Sequence, residues 1–254
     1  ASAWIAAIAR NLRIDAARRE KRSRLPEVYE ILDVPYLPGQ TAVSGVLVAM
    51  CGEKSGWAGG ALIQSLDSGA TWNTLSAFDP PGATIGTATN ALGVVDSRLY
   101  DTASVLAIDL THGDLFSISE PEMFGGRNAF AYGANGRWEI ISARTCVLQS
   151  GSAYLLSGLL RGQLGTESAM GLHAVGDALI LLDAADLVPI AMTTAIIGIP
   201  RDYRAITVYR DINTDASRAF SYQAVSLKPL SPIYLTENRH PSTGDWSLTW
   251  VRRT

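Results

Sequence analysis

Cysteine, histidine and charge are all scarce in this chain of 254 residues, which has two Cys, three His and 18% charged side chains. Cys51 and Cys146 stand far apart, form no CxxC and fit no zinc spacing. Each sits in an apolar run, so buried free thiols are expected and a disulfide is not. His112, His173 and His240 share no helix or strand spacing, which removes a metal signature. No apolar stretch reaches the roughly 18 residues a membrane-crossing helix needs. Charges near the N-terminus follow the apolar part, the reverse of a secretory signal. Loops of the G-x-S-x-G, Walker and dinucleotide-binding types are missing as well. No cofactor and no metal are therefore expected. The first residue is Ala, and Trp250-Val251-Arg252-Arg253-Thr254 stops in mid-strand pattern, so the sequence reads as an excerpt of a longer polypeptide.

What is present is apolar material and turn formers. Hydrophobic residues make up 47%, enough for a substantial core, and 23 Gly and 11 Pro are spread along the chain. The net charge of -3 is unevenly placed. Residues 1–24 carry Arg10, Arg13, Arg18, Arg19, Lys21, Arg22 and Arg24 against Asp15 and Glu20, and the remainder is acidic. Trp4, Ile5, Ile8 and Leu12 keep helical spacing, which predicts an amphipathic helix over 2–22. Its basic face could contact nucleic acid. Without interleaved aromatics it reads better as a solvated or docked face, and no specific nucleic-acid binding is expected.

A proline-broken extended segment, 25–42, reads as an edge or a linker. From residue 43 the punctuation is that of a β protein. Short runs rich in Val, Ile, Leu and Tyr are expected as strands at Val43–Cys51, Gly60–Ser65, Thr71–Ala77, Ser104–Leu110, Ala129–Gly133 and Trp138–Leu148. Others follow at Ala153–Leu160, Asp177–Leu182, Tyr203–Tyr209, Phe220–Leu227 and Ser247–Val251. Segment 79–93 reads as a long Gly/Thr/Ala loop with weak strand character. Thr166 before Glu167–Ala174 predicts a short capped helix closed by Gly176. The expected fold is mainly β, of the α+β kind, with small barrel- or sandwich-like units in a β-rich region over 43–232.

Two local patterns carry possible chemistry. Ser65-Leu66-Asp67-Ser68-Gly69-Ala70-Thr71-Trp72 matches the Asp-box, S-x-D-x-G-x-T-W, at every defined position. Asp67 can accept hydrogen bonds from turn amides, Gly69 can supply a positive φ, and Trp72 can pack over the loop. Asp-boxes recur in sialidase propellers, which raises a carbohydrate-active enzyme or a glycan-binding module as an alternative. A single box without blade-length repeats favours a structural turn. In the second pattern, a strand runs into Arg161-Gly162-Gln163-Leu164-Gly165-Thr166-Glu167. Arg161 could clamp a phosphate or carboxylate, and the preferred reading is that it ties the turn down through carbonyls. His173 is expected to meet a neighbouring carbonyl or carboxylate. Asp101, Asp109, Asp114, Glu120 and Glu122 form a carboxylate-rich stretch that could be read as a glycosidase pair, a signal of little specificity. Tyr29, Tyr36, Trp57 and Trp72 are candidate interface anchors, although core is the preferred reading for each taken singly.

The order of several elements resembles a known family. The Arg161–Glu167 turn is followed by His173 and Gly176-Asp177. Gly126-Arg127-Asn128-Ala129 and Trp138-Glu139-Ile140 stand upstream. Lys228-Pro229-Leu230-Ser231-Pro232 and Trp250-Val251-Arg252-Arg253 stand downstream. Leu32-Asp33-Val34-Pro35-Tyr36-Leu37 and the Ser65–Trp72 box also look like family features. Together they resemble the C-terminal hub region of the tail-tip proteins of gene transfer agents and related siphophages, often labelled host-specificity or phage tail proteins. The resemblance implies a homotrimeric baseplate hub in the virion tail tip, made in the bacterial cytoplasm. It implies contact with the distal tail protein, other tail-tip proteins and the host cell surface. It assigns no catalytic residue here, so a structural protein and not an enzyme is expected. Residues 233–254 would begin a following fibronectin-like region.

Overall fold

A computed structural model describes residues 27–38, 44–53, 56–182, 185–208, 210–213 and 215–252. The helix expected over 2–22 lies outside the described residues. The chain is mainly β, and its strands form three stacked layers and a separate hairpin.

The middle layer is a three-stranded antiparallel sheet of β1 (Glu27–Leu32), β2 (Gly45–Gly52) and β11 (Val188–Ala191), with β2 at its centre. Strand β2 reads Val46-Leu47-Val48-Ala49-Met50-Cys51, and both of its faces are covered. Val46, Val48 and Met50 join one core cluster, while Leu47, Ala49 and Cys51 join another. Side chains alternate across a strand, so a continuous apolar run is what burial on both faces requires. The first cluster is shared with a four-stranded sheet of β3 (Gly60–Ser65), β4 (Asn73–Phe78), β12 (Pro200–Thr207) and β13 (Arg218–Ser221), in the order β13-β12-β3-β4. Leu62, Phe78, Tyr203 and Ala205 meet Ile31, Val48 and Met50 across this interface. A fully buried side chain such as Met50 or Leu62 contributes about 1.5–3 kcal/mol.

The second face of the middle sheet packs on the outside of a closed six-stranded antiparallel barrel. Its strands are β5 (Ile85–Ala88), β6 (Asp101–His112), β7 (Ala129–Ala134), β8 (Arg137–Ser150), β9 (Ala153–Gln163) and β10 (Ala178–Leu181), in the cyclic order β10-β5-β6-β9-β8-β7. Phe130, Tyr132, Ile141, Ala143, Leu156 and Leu179 fill the interior. Their strand neighbours Ala131, Ile140 and Ile180 point outward to Leu32, Ala49 and Cys51. Asn135 and Gly136, at φ 51° and 82°, make the two-residue turn between β7 and β8. Asn-Gly is the pair that tolerates this left-handed conformation at both positions. The one α-helix among the described residues, α1 (Glu120–Phe124), carries Pro121 in its first turn and a Ser119/Glu122 capping box.

Several expectations are corrected. Of the two readings of 25–42, the edge holds for residues 27–32, an edge strand with Ile31 and Leu32 buried. The 79–93 loop contains β5, which has only four residues and borrows its stability from β6 and β10. The helix expected over 167–174 is one 3-10 turn, Glu167–Ala169. Phe220–Leu227 stays extended only to Ser221 and then enters a 3-10 turn, Val225–Leu227. The strand β15 (Trp246–Val251) pairs with β14 (Ile233–Arg239), and every residue of these two strands is exposed.

Candidate functional site: an ionic plug at one end of the barrel

The Ser65–Trp72 box is the turn between β3 and β4. The Ser65 hydroxyl donates to Asp67 Oδ1 at 2.8 Å and accepts the Gly69 N–H at 2.8 Å. Asp67 Oδ1 also accepts the Thr71 N–H at 2.8 Å, and Oδ2 accepts the Thr71 hydroxyl at 2.6 Å. Gly69 has φ 91°, and the Trp72 ring lies over it with the Arg204 guanidinium 4.4 Å from the ring centroid. The Thr71 hydroxyl, then the Thr71 amide and the Ser65 hydroxyl, hold the Asp67 carboxyl down at about 2. The side-chain oxygens of Ser65, Asp67 and Thr71 are all engaged inside the turn.

The second pattern leads somewhere the sequence did not point. Arg161, near the end of β9, has a side chain that is 0% exposed, and it forks onto Glu139 of β8, also 0% exposed. Arg161 Nε donates to Glu139 Oε1 at 2.7 Å and Nη2 donates to Oε2 at 2.8 Å. The Gly162 N–H donates to Glu139 Oε1 at 2.8 Å. His173 Nε2 stands 2.7 Å from Glu139 Oε2, and its Nδ1 stands 3.5 Å from Asp177 Oδ2. Arg137, at the start of β8, closes the chain with a bidentate pair to Asp177 at 2.6 and 2.7 Å. Asp101, at the start of β6, lies 3.9 Å from Arg161 Nη1 and accepts the N–H groups of Ala103 and Ser104. Tyr132 stacks on the His173 ring at 3.9 Å.

Topology explains the convergence. In an antiparallel barrel the start of β6, β8 and β10 and the finish of β7 and β9 lie at one end. Glu139 is the register partner of Tyr132, whose ring is part of the interior core. The ionic groups therefore plug this end of the barrel, under the loops 89–100 and 164–177. Burial alone pushes the Glu139 carboxyl up. Hydrogen bonds with His173 and Arg161, the Arg161 charge and the Gly162 amide outweigh it, and the net direction is down. For Asp177 burial again pushes up, and Arg137, the Ala174 amide and His173 bring it below the ordinary carboxylate range. Buried charges are tolerated when each is paired and hydrogen-bonded. With the Arg161, Glu139 and His173 side chains sealed from solvent, what this cluster does is bind strands and loops together.

The remaining predicted residues fall into place around it. Thr166 does not cap a helix: its hydroxyl donates to the Gln163 carbonyl at 2.7 Å and accepts the Ile140 N–H at 2.9 Å, pinning the turn to β8. Gly162 has φ 58° and Gly165 φ 83°. A Cβ on Gly165 would stand 2.7 Å from Leu230, and one on Gly162 would press on Glu167 at 3.0 Å. Arg161 meets the Gly93 carbonyl at 3.3 Å, but its main partner is the Glu139 carboxylate, which corrects the expected carbonyl tie. Glu139 was visible only as a flanking landmark, and nothing local marked it as the centre. The signal available was parity, since position 139 shares the inward face with Ile141 and Ala143.

The carboxylate-rich stretch disperses. Asp109 accepts the Ser152 hydroxyl, Glu120 faces Arg144 at 3.7 Å and Glu122 caps α1 while pairing with Arg127. His112 meets the Ala83 carbonyl, and His240 accepts amides of its own turn. Among the described residues no group of His, Cys, Asp and Glu could hold a metal. Cys51 and Cys146 are free and buried, and burial pushes both thiols up to about 12. Of the proposed anchors, Trp57 is core with its indole N–H on Thr207, Tyr29 lies under Arg218, Trp72 lies under Arg204, and Tyr36 alone is exposed.

A closed barrel with a charged plug, riding on a sheet sandwich, is thus the class of protein this site defines. Residues 83–180 match the family described as Rcc01698-like, C-terminal, a family associated with gene transfer agent proteins. That span runs from just before β5 to the penultimate residue of β10, so the match covers the barrel. No curated protein matches the chain.

Proposed function

We propose that this chain is a structural segment of the tail tip of a gene transfer agent or related phage-like particle. In this reading it assembles as a homotrimer, joins the distal tail protein and other tail-tip proteins, and takes part in contact with the host cell surface. It carries no reaction centre of its own. The observation that carries the reading is the coincidence of the matched span, 83–180, with the plugged barrel. Support also comes from exposed apolar surface away from the barrel: Trp246, Leu248 and Trp250 are 61%, 55% and 58% exposed along one strand. Apolar patches of this kind mark contacts with other chains.

The test is the mass of the purified chain by light scattering, alone and with the rest of the tail tip. A trimer of the 27.1 kDa chain is expected. A monomer that cleaves host-surface polysaccharide overturns the reading.

A further inference from the structure

A cleft of about 420 Å³ opens where the β7–β8 turn, the β9–β10 loop, the chain leaving β1 and residues 225–231 meet. Sites for small ligands run from about 300 to 1,000 Å³. We propose that this cleft binds one neutral sugar ring, a function beyond the structural role given above and resting on the cleft alone.

Trp138 lines the cleft, is 4% exposed, and its buried indole N–H has no hydrogen-bond partner. Nearly every buried donor finds an acceptor, so this one is open to an oxygen from an ordered water or from a ligand in the cleft. The charges around it decide the class of ligand. An anion would face the Asp33 carboxylate, which is already fixed by the Gln223 and Val225 amides at 2.6 and 2.9 Å. A cation would face Lys228, since Arg137 is already paired with Asp177. A neutral ligand rich in hydroxyls escapes both repulsions and can meet both the indole N–H and the Lys228 ammonium, because a hydroxyl both donates and accepts. Ser168 and Ser231 add two more hydroxyls to the lining, and Pro229 and Leu230 supply an apolar wall for the C–H face of a ring. Leu164 holds φ 56° in the same lining, a conformation uncommon outside glycine.

The indole N–H signals of the six tryptophans give a direct readout by NMR on the full chain. Trp138→Phe assigns the relevant signal by its disappearance. Titration with methyl glucoside and methyl galactoside is expected to move that signal saturably, with dissociation constants in the millimolar range. Methyl glucuronide and glucosamine, which carry opposite charges, are expected to bind roughly tenfold more weakly. Ser168→Trp, at an exposed position on the rim, fills the cleft and should abolish the shift. The proposal is overturned if neither neutral glycoside moves the Trp138 signal, if a charged sugar binds more tightly than both, or if Ser168→Trp leaves the shift intact. Failure here leaves the assembly reading untouched, because a trimer without sugar binding fails only this inference, and a sugar-binding monomer fails only the other.

Discussion

At the scale of single residues, Glu139 is the position on which most depends. Its two oxygens receive Arg161, Gly162 and His173, all inside a sealed barrel end. Removing one partner of a buried pair leaves the other charge uncompensated, at a cost of about 3–5 kcal/mol. Glu139→Gln keeps the shape and removes the charge, and Asp101, 3.9 Å from Arg161, compensates in part. A loss of about 3 kcal/mol in chemical denaturation is therefore expected. The pH dependence follows from the sign of the shifts. The Glu139 and Asp177 carboxyls are lower in the folded chain than in the unfolded one. Their contribution is complete above the ordinary carboxylate range near pH 4 and is lost as pH falls through the lower folded values. Glu139→Gln should flatten part of that acid limb. A substitution that lowers stability equally at every pH would show that the Glu139 charge is not what matters. Glu30 and Asp33 are pushed up by burial, so their contribution has the opposite sign, favouring the folded state on the acid side and fading as pH rises through their raised values. Little of this was legible in the sequence. Arg161 and His173 stood out locally, whereas the acid they share is 22 residues from one and 34 from the other, and only barrel closure brings them together.

At the scale of elements, local sequence said more. The Asp-box is written in eight consecutive residues, and its hydrogen bonds are all short-range, so sequence alone was enough to expect the turn. Its Asp67 carboxyl sits at about 2, with the Thr71 hydroxyl as the largest cause. Thr71→Val removes that donor and keeps the shape. The Asp67 value, followed by carboxyl NMR, should then rise towards the ordinary value near 3.9. An unchanged value would mean that the amides hold the charge without the hydroxyl. The apolar runs of β2 and of the first half of β8 were likewise readable, because burial on two faces leaves a continuous signal. Strands β5 and β11 were not: each has four residues, and each is extended because its neighbours offer a ladder. The Asn135-Gly136 pair, a turn signal the expected strands did not draw on, joins β7 to β8 in register. The capped helix expected after Thr166 fails for a tertiary reason, since the Thr166 hydroxyl is taken by Gln163 and by the Ile140 amide of β8.

At the scale of the whole molecule, the barrel, the middle sheet and the outer sheet share cores, while the β14–β15 hairpin shares none. Its pairing puts Trp246 opposite Arg239, Leu248 opposite Glu237 and Thr249 opposite Thr236. Trp246, Leu248 and Trp250 therefore lie on one face, with Ser247 and Thr249 on the other. This is the alternation of a half-buried strand, yet all of its residues are exposed in the single chain. A two-stranded hairpin alone in water is marginally stable, so its apolar face gains most from a covering surface. If that surface is another copy in the proposed trimer, the double variant Trp246→Ser/Trp250→Ser should reduce the mass in solution from trimer to monomer. The melting transition of the barrel should remain where it was, because neither indole touches the barrel's core cluster. If the variant remains a trimer, the hairpin is not what joins the copies, and the contact must be sought on the barrel rim, where Phe116 and Phe124 are 71% and 59% exposed.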